Sequence, residues 1–141
     1  IRLSLVGSEM CIRDSIMSLG DCYEVHGRFM LNNFSEADEY ILVHAEVMGQ
    51  GQLAGVPYGH CFLIHKATDT VHDRSNGRDI KMPRVIYYML GKIDQSEYWD
   101  DTMGRVSRTP KIYEYTRDEV MEWMSETGTF GPWELETESG Y

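Results

Sequence analysis

The chain has 141 residues and a formal net charge of -10, with 23 acidic against 13 basic side chains. Without a cluster of Lys and Arg it lacks the phosphate-neutralising surface of nucleic-acid binders, so no nucleic-acid partner is predicted. Because no apolar stretch approaches the roughly 20 residues that cross a bilayer, we predict a soluble protein with no membrane partner and, at this length, one core.

The first fifteen residues stand apart from the rest. Leu5 to Asp14 resembles, almost letter for letter, the conceptual translation of an adapter used in sequencing-library preparation. We therefore predict that residues 1–15 are a non-native, adapter-derived segment and that residues 16–141 form a single α+β domain. With Cys11 set aside, Cys22 and Cys61 are too few for a disulfide framework, which favours a reducing, cytoplasmic compartment.

The first half of the domain predicts a helix and three strands. Asp21 and Glu24 have the spacing of a capping box, so a helix should begin at Cys22. The β-formers of Tyr40–Val47 predict a strand. The apolar runs YGHCFLIHK and DTVHDRS, separated by a few polar residues, predict a hairpin.

The second half predicts helix, strand and helix. Pro83 and Gly91 delimit a short helix, and KIDQSEYWDDTMGRVSRTP has no period, which predicts a long loop. KIYEY alternates as a strand does, and Thr116 with Glu119 starts a last helix that stops at Gly128. This order, without βαβ alternation, predicts an α+β fold with a small, mainly antiparallel sheet, an N-terminal helix carrying Cys22 and two further helices.

Three residues occur in an order that suggests thiol chemistry: Cys22 at a helix start, then His60 and Asp73 on successive strands. A thiol nucleophile needs a base, and the base needs a third group that holds its tautomer. The helix N-terminus favours a thiolate only weakly and the charge of Asp21 opposes it. Activation of Cys22 should therefore depend on the imidazolium of His60.

Strand alternation provides a geometric condition for this site. His60 and Cys61 must point to opposite faces of the sheet, so Cys61 is predicted to be a core residue. If the hairpin loop has an even number of residues, such as 66–69, Asp73 lies on the face of His60. An odd loop would place His72 there instead.

The same residues resemble the papain-like cysteine hydrolase superfamily, in particular its transglutaminase-like and NlpC-type branches, through the order Cys, YGHCFLI and VHDRSNG. The wider region, from GQGQLAGVPYGHCFLI to DRSNGRDIKMPRVIYYMLGKI, also resembles small phage proteins. The resemblance implies that Cys22 is the nucleophile, His60 the general base and Asp73 the group that orients it. It implies a peptide or other amide-containing substrate, no cofactor, and a host-cell cytoplasmic location if the gene belongs to a phage.

Other interpretations remain open for each residue. Cys22 and His60 could be structural, and Asp73 could nucleate a turn. A metal site from Cys22, His60, Cys61 and His72 matches no common zinc spacing, so no metal is predicted. The remaining histidines are predicted to be ordinary surface or sheet residues: His26, His44, His65 and His72.

Two functional hypotheses follow. The first is a thiol-dependent hydrolase or acyltransferase that acts on an amide bond through a Cys22-His60-Asp73 triad. The second is a non-catalytic phage accessory or interaction protein in which the cysteine and histidine are structural, which predicts a buried thiol. Neither hypothesis determines the oligomeric state.

Overall fold

The computed structural model describes residues 21–32, 34–48 and 57–136, so the predicted adapter segment with Cys11 lies outside the described residues. Those residues form an α+β fold in which four helices surround a five-stranded antiparallel sheet, with a two-stranded hairpin beside it. No helix in these ranges is long and apolar enough to span a membrane.

The N-terminal helix, α1, spans Asp21–Asn32 and is followed by the short helix α2, Phe34–Ala37. Helix α1 begins one residue before the predicted start at Cys22. The carboxylate of Asp21 accepts a hydrogen bond from the backbone N–H of Asn76 at 3.1 Å, which ties the first turn to a distant loop. Residues three and four apart form its buried face: Cys22, Tyr23, His26, Gly27, Phe29 and Met30.

The large sheet contains five strands: β1 Tyr40–Met48, β2 Pro57–His65, β3 Thr70–Asp73, β4 Ile80–Pro83 and β7 Ile112–Tyr115. Their order in the sheet is β4-β3-β2-β1-β7. Strands β1 and β2 pair along their full length and are buried on both faces, which is why they read as nearly continuous apolar runs. Strand β4 was not predicted, because its four residues alternate between half-buried and exposed positions.

Side-chain alternation divides the core into two apolar clusters, one on each face of the sheet. The α1 face includes Met30, Leu42, Leu63, Tyr115 and Val120. The opposite face, which helix α3 covers, includes Val43, Ala45, Phe62, Ile64 and Tyr88. A residue on β2 therefore belongs to one face or the other according to whether its number is odd or even.

Helix α3 spans Arg84–Gly91, as the flanking Pro83 and Gly91 predict, but the two residues act differently from the prediction. Pro83 is the N-cap rather than the first helical residue. The left-handed residue that ends the helix is Lys92, with φ 52°. Close packing favours a glycine at position 91, because a Cβ there would lie 3.1 Å from Cγ1 of Ile93.

The prediction of a long loop after α3 is wrong for its central residues, which form two strands. Strand β5, Glu97–Asp100, pairs with β6, Gly104–Ser107, in a separate antiparallel hairpin. Its four-residue strands are half-buried or exposed, so their sequence has no apolar period to detect. The hydroxyl of Tyr98 donates to Sδ of Met48 at 3.6 Å and links this hairpin to β1.

The last helix, α4, spans Arg117–Thr127, and its predicted capping is confirmed. Thr116 Oγ1 accepts the N–H of Glu119 at 3.3 Å, and the Glu119 carboxylate accepts the N–H of Thr116 at 2.9 Å. Gly128 closes the helix with φ 71°.

Candidate functional site

The turn between β2 and β3 has an even number of residues. Strand β2 ends at His65 and β3 begins at Thr70, so the turn is residues 66–69 and His65 pairs with Thr70. In this register even-numbered residues on β2 oppose odd-numbered residues on β3. The condition that places Asp73 on the face of His60 is therefore confirmed.

His60 and Asp73 meet in a buried hydrogen bond. His60 Nε2 donates to Asp73 Oδ2 at 2.9 Å, and the two residues are only 4% and 1% exposed. Because an ionised carboxylate only accepts, Nε2 must carry a proton.

Burial and charge act against each other on this pair. Burial alone would raise the pKa of Asp73, but the hydrogen bond and charge of His60, with donors from Ser75 and Tyr87, hold that pKa well below its usual value. Burial alone would lower the pKa of His60, yet Asp73 and the thiol of Cys22 raise it to about 10. His60 is therefore an imidazolium at neutral pH.

Two further residues hold the Asp73 carboxylate. The hydroxyl of Tyr87, from α3, donates to Oδ2 at 2.7 Å. The backbone N–H and the hydroxyl of Ser75 donate to Oδ1 at 2.9 and 2.6 Å. Asp73 thus nucleates a turn with Ser75, as one interpretation of it predicted, and also accepts the hydrogen bond from His60.

Cys22 lies in the first turn of α1, fully buried in the apolar cluster that also contains Met30 and Cys61. Cys22 packs on the α1 face with Cys61, whereas His60 points to the face of Phe62 and Ile64, and the thiol nevertheless contributes to raising the pKa of His60. Within the described ranges, Nδ1 of His60 has no partner with full hydrogen-bond geometry. The ring thus bonds to Asp73 through Nε2, while Nδ1 makes no hydrogen bond within those ranges.

A second buried histidine, His26, connects the two halves of the site. Its Nδ1–H donates to the carbonyl of Cys22 at 2.8 Å, and its Nε2 accepts the N–H of Arg74 at 2.9 Å. Burial lowers the pKa of His26 to about 4, so the ring is neutral and both nitrogens are in use. It therefore fixes the first turn of α1 to the residue after Asp73.

The prediction that His26 is an ordinary surface or sheet residue is wrong, because the helix buries it completely. Its four-residue spacing from Cys22 was the available signal, since that spacing places two side chains on one helix face. Ser75 could have been recognised from the Asp-x-Ser pattern of a side-chain turn. Tyr87 has no local signal, because only the packing of α3 brings it to Asp73.

Cys61 and His44 belong to the core rather than the site. Cys61 is fully buried, on the face opposite His60, and burial raises the pKa of its thiol. His44 is surrounded by three aromatic rings, those of Tyr23, Tyr115 and Trp133. Neither nitrogen of His44 has a hydrogen-bond partner in the described part of the chain, and burial lowers its pKa to about 3.

Among residues 21–32, 34–48 and 57–136, no group of three or more His, Cys, Asp or Glu side chains is arranged to hold a metal ion. In comparisons with known proteins, no family model, curated protein or solved structure matches the chain.

Proposed function

We propose that this protein is a thiol-dependent hydrolase or acyltransferase that acts on an amide bond, with Cys22 as nucleophile, His60 as acid and base, and Asp73 as its orienting group. The observation that carries the proposal is the buried hydrogen bond of 2.9 Å between His60 Nε2 and Asp73 Oδ2, in a ring whose pKa Cys22 also helps to raise. The order of a cysteine on a helix, a histidine on a strand and an acid on the next strand supports it by resemblance to the papain-like superfamily.

The resting state follows from the charges. Because the pKa of His60 is raised to about 10, the imidazolium persists at neutral pH as the proton donor of the proposed site. Asp73 stays ionised and holds the proton on Nε2, so Nδ1 presents its proton to the reacting atoms.

The reaction then needs two proton transfers by His60. The Cys22 sulfur attacks the amide carbonyl carbon, a C–S bond forms, and the oxyanion can be met by backbone N–H groups of the first turn of α1. Nδ1 of His60 donates its proton to the leaving amine as the C–N bond breaks. The neutral ring then takes a proton from water or an acceptor amine, which attacks the acyl group and releases the thiolate.

Access to the sulfur requires a change in the site. Cys22 is fully buried and His60 is 4% exposed, so an external amide can reach the sulfur only after the site opens. Such an opening at the first turn of α1 would break the hydrogen bonds from Arg74 to His26 and from Asn76 to Asp21.

The test is the rate at which a fluorescent iodoacetamide labels Cys22 at pH 7, compared between wild type and His60→Ala. We expect wild type to react faster than free cysteine and the variant to react at least about tenfold more slowly, because the positive charge that stabilises the attacking sulfur is lost. His65→Ala is the matched control, since His65 lies on the same strand and bonds instead to Thr68 and Glu39. His60→Gln, with the fold checked by circular dichroism, separates a chemical effect from misfolding.

The second candidate function is a non-catalytic accessory or interaction protein. The complete burial of Cys22 among Met30 and other apolar residues favours it, because a buried structural cysteine is inert. In that case Cys22 reacts no faster than free cysteine, and His60→Ala leaves the labelling rate unchanged.

A further inference from the structure

Arg78 lies on the loop that follows the candidate acid Asp73. Its side chain is exposed, with Nε donating to the carbonyl of Ser75 at 3.3 Å and Nη2 donating to the Ser75 hydroxyl at 3.4 Å. That hydroxyl in turn donates to Asp73. The guanidinium is therefore held two hydrogen bonds away from the carboxylate that orients His60.

The charge of Arg78 has no acidic partner among the described residues. Two other exposed arginines are neutralised, Arg28 by Glu24 and Arg105 by Glu97, whereas the exposed Arg74 lies over the ring of Phe29. Arg78 bonds instead to a carbonyl and a hydroxyl, which carry no charge. In a chain with an excess of acidic side chains, an unneutralised guanidinium at this position leaves N–H donors for another group.

Two tyrosines, Tyr58 and Tyr87, interact both with Arg78 and with the His60-Asp73 pair. Burial raises the pKa of Tyr58 and of Tyr87, and the nearby charge of Arg78 acts in the opposite direction on both. The ring of Tyr58 lies 6.1 Å from that of His60, and Tyr87 donates to Asp73. The guanidinium thus lies within electrostatic reach of both residues that flank the His60-Asp73 pair.

We propose that Arg78 binds a carboxylate of the substrate, so that the amide cleaved at Cys22 belongs to an acidic substrate, such as a peptide with a carboxylate close to the reacting bond. The planar fork of a guanidinium matches a carboxylate with two parallel N–H···O bonds. This inference rests on the proposed function, because it assigns the substrate of the same site.

The overall negative charge does not exclude an anionic substrate. Charges are screened over about 8 Å at physiological ionic strength, so nearby groups decide the local potential. Two acidic residues lie at this loop: Asp21, which reaches it from α1 and already accepts the N–H of Asn76, and Asp79, which is exposed beside Arg78. Asp73 is compensated by the imidazolium of His60.

The experiment compares two alkylating reagents that differ only in charge, iodoacetate and iodoacetamide. In both, the Cys22 sulfur forms a bond to the reagent's carbon and iodide leaves. The measured quantity is the ratio of the two second-order rates at Cys22, with the label assigned by peptide mass spectrometry because Cys11 and Cys61 are also present. The variants are Arg78→Gln, Arg78→Lys and the control Arg105→Gln.

We expect the ratio of iodoacetate to iodoacetamide rates to fall about fivefold in Arg78→Gln, the size of a partly exposed charge pair. Arg78→Lys should lower it about twofold, since it keeps the charge and loses the fork. Arg105→Gln should leave the ratio unchanged.

A reactive Cys22 whose ratio is the same in wild type and Arg78→Gln overturns the assignment of Arg78 and leaves the proposed function standing. A ratio that falls as far in Arg78→Lys as in Arg78→Gln also overturns it, because the effect would then come from the loop's structure. A wild-type Cys22 that reacts with iodoacetamide no faster than free cysteine overturns the proposed function and this inference together.

Discussion

Replacing Asp73 by Asn removes one charge and little else from the centre of the site. The wild-type carboxylate accepts four hydrogen bonds, one from His60, one from Tyr87 and two from Ser75. The amide oxygen of an asparagine can keep both bonds from Ser75. Its NH₂ group must then face His60 and Tyr87, so His60 has to accept through Nε2 and move its proton to Nδ1.

The expected loss of stability can be worked from those four bonds. A hydrogen bond to a charged group contributes about 1.5–3 kcal/mol and a neutral one about 0.5–1.5 kcal/mol, so each bond that loses its charge costs about 1 kcal/mol. All four partners remain bonded, and Asp73 is almost completely buried, so solvent does not screen the change. We expect the free energy of unfolding to fall by about 2–4 kcal/mol, a large part of the roughly 5–15 kcal/mol of a typical domain.

Urea unfolding at pH 7, followed by tryptophan fluorescence, measures this loss. The reactivity of Cys22 should fall in the same variant, because a neutral His60 ring has no positive charge to stabilise the attacking sulfur. Asp79→Asn is the control, since Asp79 is exposed on the same loop and should change stability by less than about 0.5 kcal/mol. If Asp73→Asn is as stable as that control, the charge-assisted network does not have the strength assigned to it here.

Three further predictions concern stability. The urea midpoint should be highest near pH 6.5. Because the pKa of His60 is raised to about 10, its contribution to stability is lost as the pH rises from 6.5 towards 10. Because the pKa of His44 is lowered to about 3, its protonation favours the unfolded chain as the pH falls from 6.5 towards 3. A midpoint that does not change between pH 5 and 9 would contradict both assignments. Gly27→Ala should lower the free energy of unfolding by about 1–3 kcal/mol, because the new Cβ would lie 2.5 Å from Cδ1 of Phe130. In an exposed helix the same substitution usually raises stability. A higher thermal midpoint would show that Phe130 moves aside freely. Thr116→Ala should cost about 1 kcal/mol in thermal unfolding through the loss of the cap of α4, and an unchanged midpoint would mean that this end of the helix frays in the native protein.

The parts of this fold that could be predicted are those determined by neighbouring residues. The capping box at Thr116 and the relative facing of His60 and Asp73 depend on a turn of fixed length and on strand alternation, both of which are local. The β5-β6 hairpin was missed because its short strands are partly exposed and carry no period.

The parts of the site that could not be predicted depend on distant packing. Tyr87 reaches Asp73 only because α3 covers one face of the sheet. No local sequence pattern predicts which helix residue will contact which strand. His26 gave a local signal in its spacing from Cys22. Its partner, the N–H of Arg74, is distant in the chain and depends on how α1 docks beside the loop after β3.

The order of strands in the sheet also has a consequence for the folding kinetics. Strands β1 to β4 pair with their neighbours in sequence, whereas β7 pairs with β1 across most of the chain, as in the contact between Leu42 and Tyr115. Long-range pairing is the slowest kind to form because a long loop must close first. We therefore expect the β1–β4 meander to form early and β7, with α4 behind it, to dock late. Cys22, His60 and Asp73 all precede β7 in the chain. During translation these three residues therefore leave the ribosome before the strand that completes the sheet.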